Sequence, residues 1–253
     1  MSIVEKGQYR ARFAETAEEI ASAQRLRYRC FRARETETSA AKGALDQDEY
    51  DARCRHVLVE RRATGHLLGC YRVLILSRSA EIEASYSARF YDLTALAGYP
   101  HPMAELGRFC IARGALDPDI IRIAWGALTA LVDQNRIGML FGCTSFRGTS
   151  VAPYRNAFAL LHRKYLAPKR WMPGIKARTS VPLQPPELRA ENANLSHAMK
   201  EMPPLLRSYL TMGGRVSDHA VIDSDLDTIH VFTALDIEAI PPTRARLLRA
   251  ISA

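Results

Sequence analysis

No stretch of the sequence stays apolar for the roughly 20 residues that a membrane-spanning helix requires. The longest apolar run, IIRIAWGALTALV from Ile120 to Val132, falls short of that and carries Arg122. The opening residues, MSIVEKGQYRARFAETAEE, hold no apolar segment ahead of a small-residue cleavage site. Secretion is therefore not expected and a cytoplasmic location is. Cysteine is sparse and scattered. Cys30, Cys54, Cys70, Cys110 and Cys143 are odd in number, widely spaced and form no C-x-x-C pair, which suggests buried thiols and neither a disulfide framework nor a zinc site. Internal repeats, heptads and low-complexity tracts are also lacking. The aspartates at Asp218, Asp223, Asp225 and Asp227 lack the D-x-D-x-D-G order and closing glutamate of a calcium loop, so no metal is expected.

The middle of the chain has little negative charge. From Glu105 to Arg178 there are twelve Lys and Arg against four Asp and Glu, an excess that matches the +8 of the whole chain. Such a stretch predicts a basic surface for an acidic partner: nucleic acid, acidic protein, acidic lipid or a phosphate group. Zinc-finger spacing, an RNP-like motif and a helix-turn-helix are absent, so a nucleic-acid-binding module is kept only as the non-enzyme alternative.

With 253 residues, 47% of them hydrophobic, the chain can bury a substantial core, and one main domain is expected. QYRARFA (Gln8 to Ala14) alternates as a strand does. TAEE then offers Thr16 and Glu19 as a capping box for a helix reaching about Arg32, with Arg27 and Phe31 on one face. After a polar loop, CRHVLVE and HLLGCYRVLIL read as a hairpin joined by RRATG, with Arg72 in its second strand. MAELGRFCIA (Met103 to Ala112) is a strong strand, followed by a helix with Asp117 as N-cap and Pro118 at its first position. GMLFGCTSF is a buried strand, and a helix follows from about Val151 to Tyr165. The Pro-rich SVPLQPPELR and EMPPLL predict irregular connections, and TIHVFTALD (Thr228 to Asp236) returns to strand.

Element order alone fits several α/β folds, but the residues within them resemble one group. Arg27 and Phe31 in LRYRCFRAR, Asp48 and Asp51 in DQDEYD, Arg72 in GCYRVL, and Glu105 with Arg108 in ELGRFCIARG follow the order of the R-x-x-x-F, D-x-x-D, arginine and E-x-x-R features of acyl-homoserine lactone synthases. DQDEYDARCRHVLV, ELGRFCI, LFGCTSF and LLRSYLTMGGRVSDHAVID resemble the bacterial ornithine-lipid N-acyltransferases more closely still, over most of residues 20 to 236. The resemblance implies an α/β (α+β) fold of the GNAT-like acyl-CoA N-acyltransferase kind. That is a central mixed sheet flanked by helices, with residues 1–180 as the core and 181–253 as a C-terminal extension completing the same domain.

It further implies transfer of a 3-hydroxyacyl chain from acyl carrier protein to the α-amine of an amino acid, ornithine first, with glutamine, glycine or another amino acid as alternatives. RARETETS, from Arg32 to Ser39, lacks the tryptophan usual in the signalling synthases, which makes a homoserine lactone product the lesser expectation. ALDPDIIR stands where coenzyme A-dependent relatives carry a Gly-rich pyrophosphate loop. A donor held as the phosphopantetheine thioester of acyl carrier protein is therefore expected, with no cofactor bound permanently.

Amide formation from a thioester needs an uncharged amine, and a free α-amine is mostly protonated near neutral pH. On the resemblance Glu105 takes that proton directly or through water, while Arg27, Arg72 and Arg108 orient the amino acid's carboxylate. Asp48 and Asp51 either neutralise these arginines or bind a side-chain amine. In a flat strand Arg108 would face away from Glu105 unless a bulge intervenes, and the resemblance suggests one there. Phe31, Phe109, Trp125, Leu140 and Phe141 are candidates for an acyl groove as well as for plain core. Arg113, Arg122, Arg147, Arg155, Arg163, Lys164, Lys169 and Arg170 are candidates to steer the acidic carrier protein. The same basic face and an exposed Trp171 also suit peripheral contact with an anionic membrane. A cysteine hydrolase using Cys143 and His162, and an inactive GNAT-like binding protein, are the remaining alternatives.

Overall fold

The computed structural model describes residues 2–33, 43–115, 117–184 and 195–252. The polar loop at 34–42 and most of the Pro-rich connection at QPPELR lie outside them. In chain order the elements are β1 (Ser2–Lys6), β2 (Tyr9–Phe13), α1 (Ala17–Phe31), β3 (Arg55–Arg61), β4 (Leu67–Leu76), β5 (Tyr91–Asp92), β6 (Met103–Ile111), α2 (Pro118–Gln134), β7 (Met139–Arg147), α3 (Arg155–Lys164), β8 (Gly174–Ile175), β9 (Ser180–Pro182), α4 (Leu195–Glu201), α5 (Pro204–Thr211), β10 (Arg215–Asp223), β11 (Thr228–Asp236) and α6 (Pro242–Ser252). They divide into two compact units. One comprises the chain up to Ile75, Leu106–Ile137 and the residues from Pro242. The other comprises Leu76–Glu105 and Gly138–Pro241, so that β6 contributes its first residues to one unit and its last to the other.

In the first unit β1, β2, β3 and β4 form an antiparallel ladder, and Ala112, just past the end of β6, donates to the Leu68 carbonyl of β4. Thr16 and Glu19 close the expected capping box on α1, which satisfies amides that the first helical turn cannot. Asp117 caps α2 and also accepts from Tyr9 at 2.6 Å, tying the helix start to β2. Ile120, Ile123, Ala124, Ala127, Leu128 and Leu131 are buried at helical spacing. Helix α6 packs against α2 at Gly126, where a Cβ would sit 2.6 Å from Ile251 Cγ2, so only glycine permits that approach.

In the second unit Met103, Ala104 and Glu105 of β6 pair in parallel with Met139, Leu140 and Phe141 of β7. The antiparallel strands β11, β10 and β9 follow outward from β7. Strand β11 is buried on both faces. Ile229 and Val231 join a core with Phe146, Phe158, Leu161 and Leu206 from β7, α3 and α5. His230 and Phe232, pointing the other way, meet Phe90 and Tyr91 at the start of β5. The helix expected from Val151 begins at Arg155 instead, after a 3-10 turn at Ala152–Tyr154 that holds Pro153, a residue with no N–H to donate. The turn between β10 and β11 accounts for much of the aspartate cluster. Asp223 Oδ1 accepts from the Asp225 and Leu226 amides at 3.0 and 3.2 Å, and Asp227 adopts the left-handed conformation.

Candidate functional site

Two clusters of ionisable side chains are built on β6, one on each side of its Glu105–Leu106 boundary. Past that boundary, Arg108 has φ 53°, a left-handed residue that breaks the strand's alternation as a bulge does. Its guanidinium joins those of Arg27, from the buried face of α1, and Arg72, from the middle of β4. Between them lie Asp46, Asp48 and Asp51. Arg27 Nε donates to Asp46 Oδ2 at 2.9 Å and Nη1 to Asp51 Oδ1 at 2.7 Å. Arg72 Nη1 reaches Asp48 Oδ1 at 2.5 Å and Asp51 Oδ1 at 2.6 Å, while Nη2 reaches Asp48 Oδ2 at 2.8 Å. Arg108 donates to Asp46 Oδ2 at 3.0 Å and Asp48 Oδ2 at 3.1 Å, and Arg32 to Asp46 Oδ1 at 2.8 Å. Gln24 donates to Asp51 Oδ2 at 2.9 Å. Gly107 leaves room for this packing, since a Cβ there would be 3.4 Å from Arg72 Nε.

Burial alone would raise the carboxyls of this network. The Arg27 and Arg72 guanidiniums outweigh it at Asp51 and hold that group at about 2, and Arg108 and Arg27 lower Asp46 in the same way. His56, across from Arg72 on β3, is lowered by burial. Asp48 thus spends both oxygens on arginines, and Asp51 spends one on Arg27 and Arg72 and the other on Gln24. Asp46, which no sequence motif singled out, is the most buried of the three at 1% exposure and binds three arginines. It heads the DQDEYD stretch, and its spacing two residues before Asp48 was the available signal.

Before the boundary, Glu105 is 5% exposed and its carboxylate is gripped by a different segment. The Ser87 amide and hydroxyl both donate to Oε1 at 2.6 Å, and the Tyr86 amide donates to Oε2 at 2.8 Å. Three converging donors suit an ionised carboxylate. Ser87 Oγ also lies 3.5 Å from Cys143 Sγ. Strand register places Glu105, Phe141, Cys143 and Ser145 on one face, with Phe141 buried, Cys143 half-buried and Ser145 exposed, so this face opens toward water from Glu105 outward. Ser87 and Tyr86 carried no sequence signal, because they reach Glu105 across an irregular segment.

The apolar candidates separate by burial. Trp125, Leu140 and Phe141 are core, whereas Phe31 and Phe109 are half-buried, Phe109 stacking on Tyr71 at 5.5 Å between ring centres. Arg113, Arg122, Arg147, Arg155, Arg163, Lys164, Lys169 and Arg170 are all exposed. Trp171 corrects the expectation of an exposed indole: it is half-buried, edge-on to Tyr99 and covered by the Arg170 guanidinium at 4.7 Å. Cys143 has Ser87 Oγ as a neighbour, while His162 belongs to the last turn of α3. Among the described residues no group of His, Cys, Asp and Glu could hold a metal ion.

Residues 26–126, from α1 into α2, match the family model of the acetyltransferase (GNAT) domain. An L-ornithine N(alpha)-acyltransferase of Rhodobacter capsulatus is 32% identical over 91% of this chain and 91% of its own. One from Brucella abortus is 30% identical over 92% of this chain and 86% of its own. An N-acyl amino acid synthase from uncultured soil microbes is similar in structure, with 10% identity, TM-score 0.49 and 91% of each chain covered. The chain belongs to the L-ornithine N(alpha)-acyltransferase family.

Proposed function

We propose that the protein transfers a fatty acyl chain, 3-hydroxylated in the expected donor, from the phosphopantetheine thioester of acyl carrier protein to the α-amine of L-ornithine. The observation that carries this proposal is the Glu105 carboxylate, buried and triply hydrogen-bonded on a sheet face that opens to water, in a chain aligned with ornithine acyltransferases over nine-tenths of its length. Glu105 accepts a proton from the substrate ammonium, directly or through water. The freed amine attacks the thioester carbonyl, the new C–N bond forms, the C–S bond breaks, and the pantetheine thiolate leaves with a proton. Ser87 and Tyr86 hold the carboxylate in place through these steps.

Arg27, Arg72 and Arg108 pair with Asp46, Asp48 and Asp51. The planar guanidiniums of Arg72 and Arg108 suit bidentate binding of a substrate carboxylate. Exposed Arg147, Arg155, Arg163 and Lys164, with Arg113 and Arg122, supply the positive potential an acidic carrier protein needs. Lys169 and Arg170 suit an anionic membrane surface where the lyso-lipid product is released, and no helix among the described residues is long and apolar enough to cross a membrane. The test is to supply 3-hydroxyacyl carrier protein with a mixed amino-acid pool and identify acylated products by mass spectrometry. Acyl-ornithine as the dominant product is expected; an intact thioester beside folded protein would overturn the proposal.

A further inference from the structure

The acceptor proposed above carries a second amine, and the carboxylates that the sequence offered for it, Asp48 and Asp51, are committed to arginines. Another buried carboxylate stands in the same compact unit as Glu105. Asp223, 6% exposed at the end of β10, uses Oδ1 to cap the turn into β11, while Oδ2 has the Tyr86 hydroxyl at 3.4 Å, a weak contact. Thr228 pairs with Asp223 across the β10–β11 ladder, and His230 follows two residues later, so all three side chains share one sheet face. Thr228 Oγ1 and His230 Nε2 are both out of solvent and have no hydrogen-bond partner among the described residues.

The character of these atoms narrows the ligand. With the single Tyr91 hydroxyl hydrogen assigned to its nearer acceptor, the His230 carbonyl at 2.8 Å, the ring hydrogen is assigned to His230 Nδ1, 3.1 Å from the same oxygen, and Nε2 presents a lone pair. Burial holds the His230 ring at about 4, so it is neutral near pH 7 and stays an acceptor. This sheet face therefore presents a carboxylate oxygen, an imidazole lone pair and a hydroxyl. An ammonium has three donors and no acceptor, and it brings the charge that a buried carboxylate requires. Arg147 lies across from Thr228, but its side chain is exposed.

We propose that Asp223 Oδ2, His230 Nε2 and Thr228 Oγ1 bind the side-chain ammonium of a diamino acid, which makes Asp223 the residue that selects the acceptor. This rests on the acyltransfer to an amino acid proposed above. Tyr86 supplies the ruler, since its amide donates to Glu105 at 2.8 Å and its hydroxyl to Asp223 at 3.4 Å. From standard bond lengths the two ends of a tyrosine are on the order of 7 Å apart, and the two amines of an extended three-methylene diamino acid about 6 Å. A diamino acid of that length lying alongside Tyr86 would place one amine near Glu105 and the other near Asp223.

The test is calorimetric titration of ornithine and of norvaline, its analogue without the terminal amine, into wild type, Asp223→Asn and Thr228→Val, with turnover of both amino acids measured in parallel. Asn keeps an oxygen for the Asp225 and Leu226 amides, so the turn survives. Loss of one charged hydrogen-bond partner predicts ornithine affinity down about 50-fold in Asp223→Asn and about 5-fold in Thr228→Val, with norvaline unchanged. Equal wild-type affinity for the two amino acids, or an unaltered ornithine preference in folded Asp223→Asn, overturns the inference. Ornithine binding that depends on Asp223 without any acyl transfer would uphold this site and sink the acyltransferase proposal instead.

Discussion

Arg27 and Asp51 meet at 2.7 Å with side-chain exposures of 1% and 9%, and the same Asp51 oxygen accepts from Arg72 at 2.6 Å. An ion pair this dry costs much to desolvate and cannot lose a partner cheaply. Asp51→Asn leaves two guanidiniums short of an anion and is expected to destabilise the fold by about 3–5 kcal/mol, read from urea unfolding. A loss below about 1 kcal/mol would mean that water or Asp48 takes over.

Acid should dissolve the same network. Asp51 is held at about 2, below the roughly 3.9 of an unfolded aspartate. A carboxyl depressed by folding contributes stability that is complete above about pH 4 and is lost as pH falls through about 2. Wild-type unfolding free energy should therefore drop by about 2 kcal/mol more than that of Asp51→Asn over this window. Parallel pH profiles would contradict the assignment.

His230 acts in a different window with its own sign. The folded value near 4 lies below the ordinary 6.5, so between those values the unfolded chain binds a proton that the native chain does not. Stability should fall as pH drops from about 6.5 to about 4, by about 3 kcal/mol from this group alone, and His230→Gln should flatten the slope. Thermal melts of both proteins across that range decide it.

The carrier-protein surface is expected to act through encounter rather than chemistry. Reversing Arg163 and Lys164 together to glutamate should raise KM for the acyl carrier protein about 10-fold at low salt, leave kcat within about 2-fold, and lose its effect at high salt. A kcat loss with unchanged KM would place these side chains elsewhere in the reaction.

Most of the fold was legible because local chemistry specified it. Thr16 with Glu19 and Asp117 with Pro118 mark helix starts by the donors they satisfy, and the β3–β4 hairpin follows from its apolar pattern. Arg108 was legible only as a conflict, an arginine on the wrong side of a flat strand, which its left-handed backbone resolves. Partnership was not legible. Glu105 and Arg108 stand three residues apart, yet Glu105 is gripped by Tyr86 and Ser87 and Arg108 by Asp46 and Asp48, contacts made through irregular segments that no periodicity describes. Asp223 looked like one of several loop aspartates, and only the strand register separates it from Asp225 and Asp227 by setting it against Thr228.

The most direct measurement is the single-turnover rate of acyl transfer by Glu105→Gln, alongside its unfolding transition. Glutamine retains an oxygen for the Ser87 donors, so the fold should hold while the rate falls about 100- to 10,000-fold, the range for loss of a general base. A rate within about 2-fold of wild type, from equally stable protein, would contradict the role assigned to Glu105.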